Sequence, residues 1–305
     1  MRKVSITDLS RVIDRCLKAN VPLHLIGEPG IGKTEVIDTY AKSIGVACAH
    51  LELAQCDPSD IGGIPANVNG SIQRLPIGPL REVCDRAGIL FLDEYSQAHP
   101  AQQGASLTLL NEGRAGDFRL ATDTRVVLAS NPEHSGANFQ EASLPAINRV
   151  ISVEVVPALA EVQAYLSNLG TEGSSVRALG VDYSATLEVS PGLLQLAPPA
   201  GTVGRTWASP RAIVKGLRAL AACSDAGDQI DRDPVSLALF AGAVGDETCD
   251  AFFAIRVMRD RLASRPEILS DPEGARLPDG IDAGIASLGV IGQVASEDPF
   301  CAWIY

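Results

Sequence analysis

The chain has 305 residues, 46% of them hydrophobic, which is enough for two domains with substantial cores. No apolar run approaches the ~20 residues that cross a bilayer, and the opening MRKVSITDLSRVIDRC carries acidic residues and no secretory hydrophobic segment, so a soluble, cytoplasmic protein is expected. The net charge of −12 argues against a broad nucleic-acid-binding surface, which needs Lys and Arg to displace counterions, but leaves room for a narrow basic channel inside an oligomer.

In chain order, residues 6–19 carry Leu9, Val12, Ile13, Cys16 and Leu17 at helical spacing. A strand follows in PLHLI, then a helix over 33–44 and a strand in ACAHLEL, ending at Leu53. GPLREVCDRAG predicts a short helix, ILFL at 89–92 a fully buried strand, and HPAQQGASLTLLNEG a helix with Pro100 in its first turn. Strands are expected at 125–130 and 149–156. Short apolar strands alternating with helices imply an α/β fold, a parallel sheet covered on both faces.

After Pro157 the pattern becomes helical. ALAEVQAYLSNLG reads as a helix, while residues 171–205 are rich in Gly, Ser and Pro and are placed only weakly. SPRAIVKGLRALAA has Ser209 suited to the N-cap, Pro210 to the first helical position, and Ile213, Val214, Leu217 and Leu220 on one face. DPVSLALFAGAVG repeats that start with Asp233 and Pro234, and a longer helix covers 246–263. The division is expected as 1–156 for the α/β domain and 157–305 for a helical domain with a C-terminal extension. Seven scattered cysteines without a CxxC pair, and four dispersed histidines, fit reduced and mostly buried thiols rather than a zinc site.

Gly27-Glu28-Pro29-Gly30-Ile31-Gly32-Lys33-Thr34 fits GxxxxGK[ST] between a strand and a helix. The glycines let backbone N–H groups turn inward around phosphate oxygens, and the helix N-terminus adds partial positive charge. Lys33 is positioned for the β- and γ-phosphates and the Thr34 hydroxyl for Mg²⁺. Such a loop needs an acidic partner at the end of a neighbouring strand, and GILFLDEYSQ supplies Asp93 and Glu94. Asp93 is expected to hold Mg²⁺ through its water shell, and Glu94 to orient and polarise the attacking water. VVLASNPE ends another strand in Asn131, whose amide can reach the γ-phosphate or the water. Arg149 precedes the last strand in LPAINRVISVEV, and Arg211 sits in the first turn of the capped helix.

The ordered set GEPGIGKT, ILFLDE, VVLASNP, LPAINRV and SPRA resembles the AAA+ ATPases, most closely their MoxR-like branch, over about residues 1–222. The resemblance implies a five-stranded parallel sheet with a helical lid, ATP rather than GTP as substrate, and hexameric rings with nucleotide between subunits. It implies that Asn131 is sensor 1, Arg149 the arginine finger and Arg211 sensor 2, with Arg205 the second candidate for that last role. GIPANVNGSIQRLPIGPL, with its Asn69-Gly70 turn, resembles the helix-2 insert of this group, and NEGRAGDFRLATDTRVVL the hairpin before sensor 1. The chain departs from the family in Tyr95-Ser96-Gln97-Ala98-His99 after the acidic pair, and in Asn148-Arg149-Val150 where Asp-Arg-Phe is usual.

The function implied is an ATP-driven remodeller of a protein complex, working with a von Willebrand A or metallopeptidase-like partner. One alternative is a nucleic-acid-linked motor or defence subunit, for which Arg74, Arg114, Arg119 and Arg125 are the candidate basic contacts. Another is a non-hydrolysing, nucleotide-dependent scaffold, against which the presence of Glu94 argues.

Overall fold

A computed structural model describes residues 1–135, 139–199 and 205–259. The expected helix end at 260–263 and the C-terminal extension lie outside the described residues. Contacts divide the chain into two units, Met1–Ala158 and Leu159–Tyr305.

The first unit runs β1 (Lys3–Val4), α1 (Ile6–Lys18), β2 (Leu23–Ile26), α2 (Lys33–Ser43), β3 (Ala47–Glu52), α3 (Pro58–Gly62), β4 (Ile64–Val68), β5 (Ser71–Leu75), α4 (Gly78–Asp85), β6 (Gly88–Asp93), α5 (Pro100–Glu112), β7 (Arg114–Ala115), β8 (Phe118–Arg119), β9 (Arg125–Ser130), α6 (Leu144–Ile147) and β10 (Ile151–Val155). Six of these strands form one sheet in the order β1-β10-β2-β9-β6-β3, and every pairing in it is parallel. The two-residue β1 adds an edge strand to the five expected; two residues are too few to show a period of two in the sequence.

The central strands carry continuous apolar side chains because helices cover both faces. Ile89, Leu90, Phe91 and Leu92 of β6 are all buried, as are Val127, Leu128 and Ala129 of β9. Helix α1 starts where Ser5 accepts the Asp8 N–H, and it buries Leu9, Ile13, Cys16 and Leu17 on one face. Proline occupies the first turn of α3, α4, α5 and α6, where its missing N–H leaves no broken bond.

Because the strands are parallel, the carboxyl ends of β2, β6 and β9 reach the same edge of the sheet, and the elements that enter the strands lie at the other. The strand expected over 149–156 is shorter at both ends. It begins at Ile151, in register with Leu23, and Arg149 lies in the turn that closes α6. The chain reverses direction there, so a ladder position is not open to Arg149.

Two antiparallel hairpins stand apart from the sheet. In β4–β5, Val68 pairs with Ser71 around Asn69 and Gly70, whose φ values of 53° and 85° are the left-handed conformation the tight turn requires. In β7–β8, Ala115 pairs with Phe118. The turn of β7–β8 meets the base of β4–β5: the Arg74 N–H donates to Asp117 Oδ2 at 2.7 Å. A Cβ on Gly116 would lie 2.8 Å from the Gly62 carbonyl oxygen.

The second unit contains α7 (Leu159–Ser167), α8 (Ser175–Val189), α9 (Pro210–Asp225), α10 (Pro234–Val244) and α11 (Asp246–Arg259). Its core joins Tyr183 to Phe240, Phe252 and Phe253 with ring centroids 5.1–6.3 Å apart, packed with Leu217 and Leu220. The Tyr183 hydroxyl donates to the Leu193 carbonyl at 2.8 Å, so the buried phenol keeps its hydrogen bond. Helix α8 falls in the weakly placed stretch 171–205. Its Gly, Ser and Thr read as loop residues but serve close packing, since a Cβ on Gly180 would sit 2.1 Å from the Leu166 carbonyl oxygen.

Candidate nucleotide site

The glycine loop leaves β2 at Ile26 and enters α2 at Lys33. Gly30 and Gly32 have φ values of 81° and 98°, the left-handed region that other residues enter only with strain. Gly27 is required for a different reason: a Cβ there would lie 2.8 Å from the Val155 carbonyl oxygen and 2.7 Å from Ile31 Cδ1. Gly32 precedes α2 with no side-chain cap, so the positive end of the helix dipole lies directly at the end of the loop. The Gly27 N–H donates to the Ser130 carbonyl at 3.1 Å, which fixes the start of the loop to the end of β9.

The Lys33 side chain is buried and turned back over the loop. Its ammonium donates to the carbonyls of Gly27 at 2.5 Å and Glu28 at 3.0 Å, and to Asn131 Oδ1 at 2.9 Å. Asn131 follows β9, and its backbone is held by Ser96, whose hydroxyl donates to the Asn131 carbonyl at 3.2 Å and accepts its N–H at 3.3 Å. Glu28 meets His134 Nε2 at 2.6 Å, a second tie between the loop and the segment after β9.

Asp93 ends β6. Its Oδ2 accepts the Thr34 hydroxyl at 3.0 Å, and its Oδ1 accepts the Glu94 N–H at 2.8 Å. Glu94 has φ of 55°, uncommon for a residue with a Cβ and typical of strain kept at functional positions. His50 Nε2 lies 3.4 Å from Asp93 Oδ2, within ion-pair reach but off hydrogen-bond geometry, and this buried nitrogen has no hydrogen-bond partner. Burial pushes the Asp93 carboxyl up, but its contacts with His50, the Glu94 N–H and Thr34 outweigh that and hold it below its ordinary value. The pairing with Asp93 in turn raises His50, against the opposing effect of its burial.

Lys33, Thr34, Asp93 and Asn131 are therefore joined directly, residues 33 and 131 across 98 positions of sequence. Glu94 is the next residue along the chain from Asp93. Arg149 stands elsewhere: it is half-buried at the other edge of the sheet, and its Nη1 donates to the Pro145 carbonyl at 2.6 Å. Arg211 is exposed in the first turn of α9, in the second unit, and Arg205 is exposed as well. Ser96, His134 and His50 were not singled out from the sequence. For His50 a signal existed: it pairs in register with Phe91, and a period of two puts it on the same face as Glu52 and Asp93.

The donor set suits a triphosphate with its metal. A buried ammonium, two left-handed glycines and the positive end of α2 suit phosphate oxygens. The Thr34 hydroxyl and the Asp93 carboxylate, 3.0 Å apart, are the hard oxygen donors that Mg²⁺ selects.

Residues 22–147 match the AAA domain (dynein-related subfamily). No curated protein matches the chain. Among solved structures, NtrX from Brucella abortus in complex with ADP is 18% identical, with a TM-score of 0.50 over 95% of this chain and 64% of that one. A second NtrX structure from Brucella abortus is 17% identical, with a TM-score of 0.40 over 91% of this chain and 54% of that one. The chain thus spans less than two thirds of the length of these NtrX chains. A Cytophaga hutchinsonii protein assigned as an ATPase is 16% identical, with a TM-score of 0.42 over 92% of this chain and 79% of that one. At 18% identity and a TM-score of 0.50, the likeness to the first of these concerns the fold alone. Residues 22–147 thus match an AAA domain in sequence and take the fold of a P-loop nucleoside triphosphatase.

Proposed function

We propose that the protein is an ATP-hydrolysing AAA+ ATPase of the MoxR-like type, acting as a ring that remodels or matures a protein complex together with a von Willebrand A or metallopeptidase-like partner. The observation that carries the ATPase reading is the convergence of Lys33, Thr34, Asp93 and Asn131 at one edge of the sheet, with Glu94 beside them. The hairpins β4–β5 and β7–β8 support the branch, since they occupy the places where the MoxR-like resemblance puts the helix-2 insert and the hairpin before sensor 1.

In this reading the loop N–H groups and Lys33 hold the phosphates. Thr34 and Asp93 hold Mg²⁺, which when bound neutralises charge on the β- and γ-phosphates. Glu94 orients a water for in-line attack on the γ-phosphorus and takes its proton as the bond to the β-phosphate oxygen breaks. Asn131, anchored through Ser96, fixes the γ-phosphate or the water.

Arg149 is the proposed finger for a neighbouring subunit. The parallel pairing supports this: Ile151 is level with Leu23, at the far end of β2 from the glycine loop. The five residues of β10 separate Arg149 from the edge that carries the loop by roughly 13 Å at strand rise. A cation at that end is badly placed for its own nucleotide and available to another. Arg211 is proposed as sensor 2.

The nucleic-acid alternative loses support from three of its four candidates, Arg119 being exposed. Arg74 is engaged by the Gly63 carbonyl and Arg114 by Glu112. Arg125 is spent on the carbonyls of Leu17, Thr122 and Thr124 and on Asp123. The deciding experiment is phosphate release by Glu94→Gln beside the unaltered protein. Retained nucleotide binding with hydrolysis reduced by about 10² or more supports the reading; equal hydrolysis overturns the role of Glu94.

A further inference from the structure

The magnesium ligand Asp93 is the last residue of β6, and β6 is covered on its outer side by β3. The register between these strands is His50 to Phe91 and Glu52 to Asp93. His50 is therefore two positions back along β3, on the face shared by Phe91 and Asp93, at the diagonal distance across which long side chains still meet. Its ring lies against that of Phe91, with centroids 4.9 Å apart and planes inclined by 33°. That contact restricts how the imidazole turns and leaves Nε2 3.4 Å from Oδ2, close to the carboxylate but off hydrogen-bond alignment.

Three further observations single out this contact. The nitrogen is buried and has no hydrogen-bond partner, a condition that calls for an explanation. The oxygen it faces is the one that accepts the Thr34 hydroxyl, so it belongs to the pair of donors best suited to Mg²⁺. The other carboxylate oxygen is already fixed by the Glu94 N–H. Oδ2 has the Thr34 hydroxyl as its donor; once that hydroxyl turns to Mg²⁺, a carboxylate held at Oδ1 alone would swing about its Cβ–Cγ bond, and a further donor on Oδ2 would stop that rotation.

We propose that His50 is a positioning residue for Asp93: a small turn of its ring brings Nε2–H, 3.4 Å away and misaligned here, onto Oδ2 and holds it in the orientation that Mg²⁺–nucleotide requires. Nε2 carries a proton in the charged ring and in one neutral tautomer, so the role needs no change of charge. Metal-ligating carboxylates are commonly oriented by such outer partners, whose loss weakens metal affinity by about 10–100-fold. The inference rests on the reading of Thr34 and Asp93 as magnesium ligands. His50 touches neither the phosphates nor the water in this account, so it is not assigned a catalytic role.

The test measures binding, not turnover. Affinity for a fluorescent ADP analogue is determined in EDTA and across a Mg²⁺ titration for the unaltered protein, His50→Ala and His50→Gln. The Gln amide nitrogen stands close to the place of Nε2. For His50→Ala the expected result is an EDTA affinity within about twofold of the unaltered protein and a Mg²⁺ midpoint raised about tenfold or more. His50→Gln is expected to recover most of that shift. Three results overturn the proposal: an unchanged Mg²⁺ midpoint in His50→Ala, an equal loss in EDTA and in Mg²⁺, or no recovery by a His50→Gln protein that melts with the unaltered one. Failure of the underlying reading looks different, since the unaltered protein itself then shows no Mg²⁺-dependent nucleotide binding.

Discussion

The Lys33 ammonium donates to Asn131 Oδ1 at 2.9 Å, so the lysine of the glycine loop and the amide at the end of β9 are direct partners. Their loss should have different consequences. Lys33→Ala removes the only side-chain cation of the loop and should weaken ATP and ADP binding by roughly 100-fold, the equivalent of one or two charge-assisted hydrogen bonds. Asn131→Ala keeps the cation and should bind nucleotide within a few-fold of normal while hydrolysing about 10² more slowly. Calorimetric binding beside phosphate release separates the two; loss of binding in Asn131→Ala and retained binding in Lys33→Ala would reverse the assignment.

Arg149 lies at the sheet edge away from the loop. If it serves a neighbour, hydrolysis per molecule should rise with protein concentration. Lys33→Ala mixed with Arg149→Ala, each inactive alone, should then regain partial activity, because some interfaces pair an intact loop with an intact finger. A finger of this kind is worth about 10³–10⁵ in rate. Mixed assemblies that form, by cross-linking, but stay inactive would remove Arg149 from the role.

His24 of β2 gives a pH dependence with a definite sign. It is buried, with Nε2 2.7 Å from Ser130 Oγ and Nδ1 3.5 Å from Ser152 Oγ. Burial lowers it from 6.5 to about 4. Between those values the unfolded chain binds a proton that the native protein refuses. The stabilisation is thus complete above pH 6.5 and is lost as pH falls toward 4, by at most about 3 kcal/mol. His24→Gln should flatten the curve in that window relative to the unaltered protein. Parallel melting curves between pH 4 and 7 would show that His24 titrates normally.

Two helical glycines of the second unit should respond to alanine with opposite signs. Gly180 in α8 has the Leu166 carbonyl oxygen 2.1 Å from where a Cβ would stand, so Gly180→Ala should force α7 and α8 apart and destabilise by about 3 kcal/mol. Gly242 in α10 is exposed and has nothing within 4 Å of that point, so Gly242→Ala should stabilise by about 0.5–1 kcal/mol. Denaturant midpoints of the two variants check both signs.

The sequence makes the first unit readable because each chemical group sits at the end of a strongly patterned strand. LHLI ends beside the glycine loop, GILFLD ends in Asp93, and RVVLAS ends before Asn131. Parallel pairing then brings those ends together without further information. What stays hidden depends on neighbours across the sheet. His50 looks like one of four scattered histidines until the register with β6 places it beside Asp93. Ser96 looks like a turn residue until its hydroxyl is seen to clasp both backbone groups of Asn131. Helix α8 hides for the opposite reason, since the residues that weaken its pattern are those that let another helix approach.

The joint between the two hairpins has a mechanical meaning. It consists of a backbone N–H on Asp117, a glycine at 116 against the carbonyl of Gly62, and a glycine at 63 whose Cβ would strike the Leu75 carbonyl and the Phe118 ring. The Arg74 side chain closes the same joint, lying against Gly116 and donating to the Gly63 carbonyl at 2.9 Å. The turn of β7–β8 is therefore anchored on the base of β4–β5. Leu120, just after β8, is tied back to the Gly113 carbonyl at 2.7 Å, and the same chain continues into β9 and Asn131. That chain enters β9 at the sheet edge away from the nucleotide site, so a displacement at the joint would be carried outward to the exposed Ile72 near the tip of β4–β5 and inward along β9 toward Asn131.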